Sequence, residues 1–324
     1  MGSDMRSGMR QPPRIVVVGS INMDLLVRAA ELPRPGETVL AESMVTVPGG
    51  KGANQAVAAA RAGGLVSMIG RVGEDIFSER LREALVREGV QTNQMWSSSS
   101  EQGGVAIVAV DRRGRNSILV VPGANGLVST EDIETARPVI QSADLLLVQL
   151  EIPMPAVERA VSIAQEARVA CVLDPAPAPR VLSEALYQVD LLCPNESEAA
   201  MLVGQELTTR KEIERAAEVL ARRGASAVAI TCGERGTCLW FEGKIGWVPA
   251  VEADVRDTTG AGDAFAGALA VRWAEGIALP EAVRFANAAG SLAVSRVGTQ
   301  DAMATREEIN RRMAQLGKLT ELDG

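Results

Sequence analysis

Along this chain, short apolar runs alternate with amphipathic stretches. Ile15 to Ser20 is an apolar run closing on Gly19-Ser20, and it predicts a buried strand that ends in a turn. Ser67 to Gly70, Leu145 to Leu150, Val169 to Leu173, Leu191 to Cys193 and Ala227 to Thr231 predict further strands. Between them, Gly49 to Ala62 reads as a glycine-rich turn followed by an alanine-rich helix. Phe77 to Glu88 gathers Leu81, Leu85 and Val86 on one side and charges on the other, the mark of a surface helix. Ala156 to Ala167, Glu196 to Leu202 and Ile213 to Arg222 predict helices as well. From Gly262 onward the chain reads as helical, over Gly262 to Glu275, Leu279 to Ser295 and Thr305 to Leu316. Strands apolar throughout and alternating with helices predict an α/β fold, a mainly parallel central sheet with helices on both faces.

Two stretches, about 25–47 and 104–121, break this alternation. They hold β-like runs without a helix: Thr38 to Leu40, Val105 to Val110 and Ser117 to Val121, with Asp111 to Gly114 as a hairpin turn. They predict a small separate β-sheet, a lid built from two excursions and able to close over a cleft. Residues 14–316 then read as one domain, 1–13 as a disordered leader and 317–324 as a tail. Ser97 to Ser100 reads as a polar linker, and no internal repeat is visible.

Composition narrows the chemistry. Lys and Arg number 33 against 41 Asp and Glu, a net charge of −8, which argues against a nucleic-acid or anionic-membrane partner. The chain has no histidine, so no Ser-His-Asp triad, Cys-His pair or histidine metal site exists within it. The only tyrosine is Tyr187, which leaves a carboxylate as the leading acid–base group. Cys171 and Cys193 lie in apolar runs. Cys232 and Cys238 flank a turn and could meet, but the free-thiol reading and a reducing cytoplasm fit better. No membrane-spanning run or secretory signal is expected.

The most telling segment is Asp257-Thr258-Thr259-Gly260-Ala261-Gly262-Asp263, running into the all-round apolar Ala264 to Val271. A glycine turn opening a buried helix points free N–H groups and the helix dipole at one spot, an anion site. Asp263 at its mouth would repel a resting anion, but suits proton removal from a hydroxyl while the turn stabilises a transferred phosphoryl group. The plainer alternative is a first-turn acid that only caps the helix.

Other polar groups recur where strands end. Asn22 and Asp24 follow the first strand and suit a sugar diol, or form a local Asx turn. Gly49-Gly50-Lys51-Gly52-Ala53-Asn54-Gln55 lacks Walker spacing, yet a glycine-rich helix start with Lys51 and Asn54 suits a polyhydroxylated ligand. Glu151 follows another strand. Asn195 with Glu198 reads as an N-cap or as a cluster holding Mg²⁺ through water beside phosphates. Thr231 to Gly236 ends a further strand in a small open loop that suits a nucleotide's phosphate or ribose.

As a set, Gly19-Ser20-Ile21-Asn22-Met23-Asp24, Gly49 to Ala56, Pro194-Asn195-Glu196 and Asp257 to Asp263 make the chain resemble the ribokinase branch of the PfkB family of carbohydrate kinases, from about Arg14 to about Met313. The resemblance implies a three-layer α/β/α fold and ATP-dependent phosphorylation of D-ribose at its 5-hydroxyl. It implies Asp263 as base and Gly260, Ala261 and Gly262 as anion hole. Sugar contacts would come from Asn22, Asp24, Gly50, Lys51, Asn54, Glu151 and Asp263. Nucleotide contacts would come from Asn195, Thr231, Gly233, Gly236, Gly262 and Asn287, with Mg²⁺ on ATP near Glu198. A monovalent cation, usually K⁺, would sit at Asp257 with carbonyls of Thr259, Ala293, Arg296 and Gly298. Ala302 stands where the family often has Ser. The lid would also form a homodimer contact. A kinase of a related pentose or nucleoside, such as 2-deoxyribose, is the nearest alternative, and a catalytically silent sugar-binding protein a more distant one.

Overall fold

The computed structural model describes residues 11–113 and 115–315. The leader reading at 1–10, Gly114 of the hairpin turn and the tail from 316 on therefore lie outside the described residues.

In chain order, β1 (Arg14–Val18), β2 (Asn22–Ala29) and β3 (Ala41–Gly49) precede α1 (Lys51–Arg61), β4 (Leu65–Gly73), α2 (Ile76–Arg87) and β5 (Gln91–Ser98). Next come β6 (Gly104–Val110), β7 (Asn116–Val121), α3 (Thr130–Thr135), α4 (Arg137–Gln141), β8 (Leu145–Val148) and α5 (Met154–Ala167). Then follow β9 (Ala170–Leu173), β10 (Leu191–Leu192), α6 (Glu196–Val203), α7 (Arg210–Arg222), β11 (Ala227–Thr231), β12 (Thr237–Phe241) and β13 (Lys244–Val248). The chain closes with α8 (Ala261–Ala274), α9 (Leu279–Val294) and α10 (Arg306–Ala314).

The central sheet runs β13-β12-β11-β10-β9-β8-β1-β4-β5, parallel except at β11-β12 and β12-β13. Because side chains alternate across a strand, Ile15 and Val17 enter one core with α1, α8 and α9. Val16 and Val18 enter the other with α5 and α7. Both faces are thus covered, which is why these strands are apolar throughout.

The smaller sheet runs β3-β2-β6-β7. It begins at Asn22 and closes at Gly49, paired to each other, so the excursion is wider than 25–47. Thr38 to Leu40 carries no strand, and Leu40 is exposed. Its β-branched and apolar residues find no neighbouring strand, and propensity without a pairing partner does not make a sheet. Ser97 and Ser98 belong to β5, not to a linker. That edge strand and the β12-β13 hairpin escape sequence reading. β5 is largely polar, and the hairpin's alternation is short. The α3 start carried a readable signal, a capping box of Ser129 with Asp132.

Candidate active site

Two helix N-termini meet at the carboxyl ends of the central strands. Gly260 caps α8 in the left-handed region (φ 74°), a conformation that favours glycine. The backbone can then turn sharply and aim the first N–H groups of α8 outward, beside Asp263. A side chain at Gly262 would meet only open space, so this N-terminus is accessible to a ligand.

α1 lies against α8 at Gly267, where an added Cβ would stand 2.6 Å from the Gln55 carbonyl. This close approach brings two amides of α1 to the carboxylate. Asn54 Nδ2 donates to Asp263 Oδ2 and Gln55 Nε2 to Asp263 Oδ1, each at 3.0 Å. Burial pushes the Asp263 carboxyl above its ordinary range. Lys51 and the two amides pull it back, and Glu151 pushes it further up. Lys51 sits among Asp263, Asp174, Glu151 and Glu198. Burial pulls its ammonium down, but the four carboxylates outweigh that and hold it charged.

Glu151 Oε2 accepts from Ser20 Oγ (2.5 Å) and from Lys51 N at the start of α1 (3.3 Å). Gly50 precedes that helix with φ 87°. Asn22 and Asp24 are buried and lie on β2 itself, rather than in a turn beyond β1. Asn22 Oδ1 accepts from Asn125 Nδ2 at 2.7 Å, and Asn125 in turn grips the backbone of Ile21. The Asp24 carboxyl is pushed up to about 7, first by burial and then by Glu151 and Asp263. Asp24 Oδ1 and Asn54 Oδ1 are buried without a partner. Buried acceptors in that state are costly, and the hydroxyls of a ligand are donors of the kind they lack.

A groove of about 610 Å³ opens beside α6 and is lined by Asn195, Ser197, Glu206, Thr208, Thr231 and Gly233. Asn195 caps α6, accepting from Glu198 N at 2.9 Å, while Glu198 Oε2 accepts from Asn195 N at 2.8 Å. Burial raises the Glu198 carboxyl against that bond, and its charge reaches Lys51 and Asp263. α6 thereby joins the groove to the carboxylate cluster. Gly236 and Asn287 lie at the neighbouring β12-β13 end. Asn287 accepts from Thr237 Oγ1 (2.7 Å) and donates to the Pro249 carbonyl (3.0 Å), so both ends of its amide are engaged within the protein.

Asp257 ties two loops together. Oδ1 accepts from Thr259 N and Oγ1, and Oδ2 from Gly298 N. Arg296 N donates to the Ala293 carbonyl and its side chain pairs with Glu308. Ala302 is fully buried. Among the described residues no three Asp, Glu or Cys side chains gather as a metal cage. Carboxylate and carbonyl donors of this kind suit hard cations held partly by water or by a ligand's own oxygens.

Sequence reading missed Asp174, Gln55, Gln149 and Asn125 as site groups. Asp174 and Gln149 each stand one position beyond a central strand, the same signal that marked Glu151.

A buried carboxylate at a helix N-terminus, ringed by groups that bind hydroxyls and set beside an open groove, is equipment for moving a phosphoryl group to an alcohol. Fold and site together define a phosphotransferase with an alcohol acceptor. The pfkB family carbohydrate kinase profile matches residues 12–306. A ribokinase of Bacillus subtilis is 40% identical over 295 residues, covering 91% of this chain and 97% of the relative. A deoxyribokinase of Salmonella typhi is 34% identical over 297 residues, covering 91% and 97%. The structure of Arabidopsis thaliana ribokinase complexed with ribose and ATP superposes with a TM-score of 0.85 at 34% identity, covering 94% of this chain and 99% of that one. The chain belongs to the PfkB family of carbohydrate kinases.

Proposed function

We propose that this enzyme transfers the γ-phosphoryl group of ATP to O5 of D-ribose, giving D-ribose 5-phosphate and ADP. The observation that carries this reading is the convergence on Asp263 of two unpartnered buried acceptors, Asp24 Oδ1 and Asn54 Oδ1, with the open N-terminus of α8. Asp24, Asn22, Asn54, Lys51, Glu151 and the Gly50 backbone hold the sugar. Asp263 takes the hydroxyl proton as the new O–P bond forms and the bond to the ADP oxygen breaks. The N–H groups following Gly260 face the charge on the transferred group. Lys51 offsets the carboxylates that would otherwise repel the phosphates.

The nucleotide occupies the groove at Asn195, Thr231 and Gly233, with Gly236 and Asn287 shaping its end. Glu198 would hold the Mg²⁺ of Mg-ATP through water, and the ion would supply neutralisation of phosphate charge. Asp257 and the carbonyls of Thr259, Ala293, Arg296 and Gly298 would hold K⁺. Support comes from the way Asp257 clamps the loops at Thr259 and Gly298 beside the α8 turn.

The test is ADP formation with Mg-ATP and D-ribose, in K⁺ and then with a large organic cation in its place. Ribose-dependent ADP that falls without K⁺ is expected. ADP formed with 2-deoxyribose and not with ribose overturns the substrate, and no ADP with any sugar overturns the reaction.

Ribose affinity should depend on pH. Asp24 titrates near 7 in the folded protein, and sugar hydroxyls donate to its ionised form. Affinity therefore rises from pH 6 to pH 8, and calorimetric titration should show Asp24→Asn losing that rise along with about tenfold or more in affinity. Without ligand the sign is opposite. The folded state binds Asp24's proton more tightly than the unfolded chain, so Asp24's contribution to stability falls as pH climbs from about 4 to about 7.

We further propose a cytoplasmic homodimer joined through the small sheet acting as lid. Met44, Val45, Ile118, Leu119, Val120 and Val121 leave apolar surface open on that sheet. All four cysteines are free and buried, which suits a reducing compartment. Among the described residues no helix is long and apolar enough to cross a membrane. Light scattering should give a dimer mass for the native chain and a monomer for Leu119→Glu; a native monomer would rule the dimer out.

A further inference from the structure

Behind Asp263 lies a buried amide–carboxylate chain that the phosphotransfer reading leaves unused. Gln149 Nε2 donates to Gln55 Oε1 at 2.5 Å. Gln55 Nε2 then donates one hydrogen to Asp263 Oδ1 at 3.0 Å and the other to Asp174 Oδ2 at 2.7 Å. All four side chains are buried, and Gln55 and Gln149 are wholly so. Flipping the Gln55 amide would set its oxygen against two carboxylates and its NH₂ against the NH₂ of Gln149. The network therefore permits one orientation.

We infer that Asp174 and Gln55 are positioning residues for the base, Asp174 fixing the Gln55 amide that in turn fixes the Asp263 carboxylate. This rests on the reading of Asp263 as base. The three come from different elements: Gln55 from α1, Asp174 from the end of β9 and Asp263 from the first turn of α8. Without Asp174 the second N–H of Gln55 has no acceptor in a dry site, so the amide can rotate and loosen Asp263. Near-attack geometry is sensitive to displacements of about 1 Å.

Lys51, Asn54 and Gln55 of α1 and Glu151 after β8 act on Asp263, and Asp263 in turn raises Asp24 of β2, Asp174 after β9 and Glu198 of α6. Lys51 is the one cation among them. The Asp174 carboxyl is itself pushed up to about 7, first by burial, with Lys51 pulling it back and Glu198 and Asp263 pushing it further.

Two variants separate geometry from charge. Asp174→Ala removes the acceptor, while Asp174→Asn keeps an acceptor oxygen for Gln55 and removes the charge. With Mg-ATP and ribose, Asp174→Ala is expected to lower kcat about 10- to 100-fold with ribose KM within about threefold. Asp174→Asn, which keeps the acceptor for Gln55, is expected to recover most of that loss. Wild-type kinetics in both variants would overturn the inference. So would kcat, KM and Tm changing together in both with no rescue by Asn, the pattern of a merely structural residue. If the native protein phosphorylates no sugar, the base reading fails; native turnover together with an undiminished kcat in Asp174→Ala sinks the positioning role alone.

Discussion

Asp263→Asn is expected to lower kcat about 10²- to 10⁴-fold while the ribose KM stays within about threefold. The amide has the size of the carboxylate but no basicity at neutral pH. The hydroxyl must then lose its proton to water, and the penalty falls on the transition state rather than on the bound sugar. In the proposed site Asp24, Asn22, Asn54 and Lys51 hold the ribose, and the substitution leaves them in place. The new NH₂ group does face the donors of Asn54 and Gln55, so one of the two 3.0 Å bonds is lost. Ribose binding measured without ATP separates that rearrangement from the loss of the base. An Asn variant with near-native turnover would remove Asp263 from the catalytic role.

The second large effect is expected at a residue that touches no substrate. A Cβ at Gly267 would lie 2.6 Å from both the Ala58 Cβ and the Gln55 carbonyl, and 2.8 Å from Ala59 N. Two of these three contacts are backbone atoms of α1, which cannot swing aside as a long side chain would. Gly267→Val should therefore force α1 and α8 apart and destabilise the fold by about 1–3 kcal/mol or more, lowering Tm by roughly 2–8 °C. Since α1 carries Asn54 and Gln55 to Asp263, turnover should also fall about tenfold or more in the protein that remains folded. Thermal melts with activity measured well below Tm read both effects. A Val variant with native Tm and turnover would show that the helices do not need this contact.

Much of the architecture was legible because its signal is local. Ile15 to Val18 is apolar at every position, as a strand covered on both faces must be, and Phe77 to Glu88 shows the stripe of a one-sided helix. The small sheet was visible as two helix-free excursions, but its limits were not. Whether Asn22 joins a sheet depends on Gly49 and Gly104, its partners across β3 and β6. Thr38 to Leu40 had the composition of a strand and no neighbour to pair with. Gln91 to Ser98 had a neighbour in β4 and the wrong composition, and it became the sheet's edge, where one side stays open to water.

The site divides in the same way. Asp263 and its glycine turn are contiguous in sequence, and a helix N-terminus makes its anion site from its own backbone, so this candidate centre could be named from sequence alone. Asn22, Asp24, Glu151, Asn195 and Thr231 could be suspected one by one, because open α/β sheets gather ligands at the carboxyl ends of their strands. What each side chain does there was not readable. Asn287 turned its amide inward to Thr237 and Pro249, and Asp174 and Gln149 went unnoticed beside Gln55.

The sequence by itself determined the alternation of buried strands with helices, the glycine turn that opens α8 and the presence of a carboxylate in its first turn. All of these follow from periodicity and composition within a few residues. The tertiary structure alone decided which polar groups meet. Asn54 and Asp263 are separated by 209 positions and Gln55 and Asp174 by 119, and only the packing of α1 on α8 and of β8 beside β9 brings them together. Hydrophobic pattern places the elements. The orientation of a buried amide is settled by its partners, and those partners come from other strands and helices.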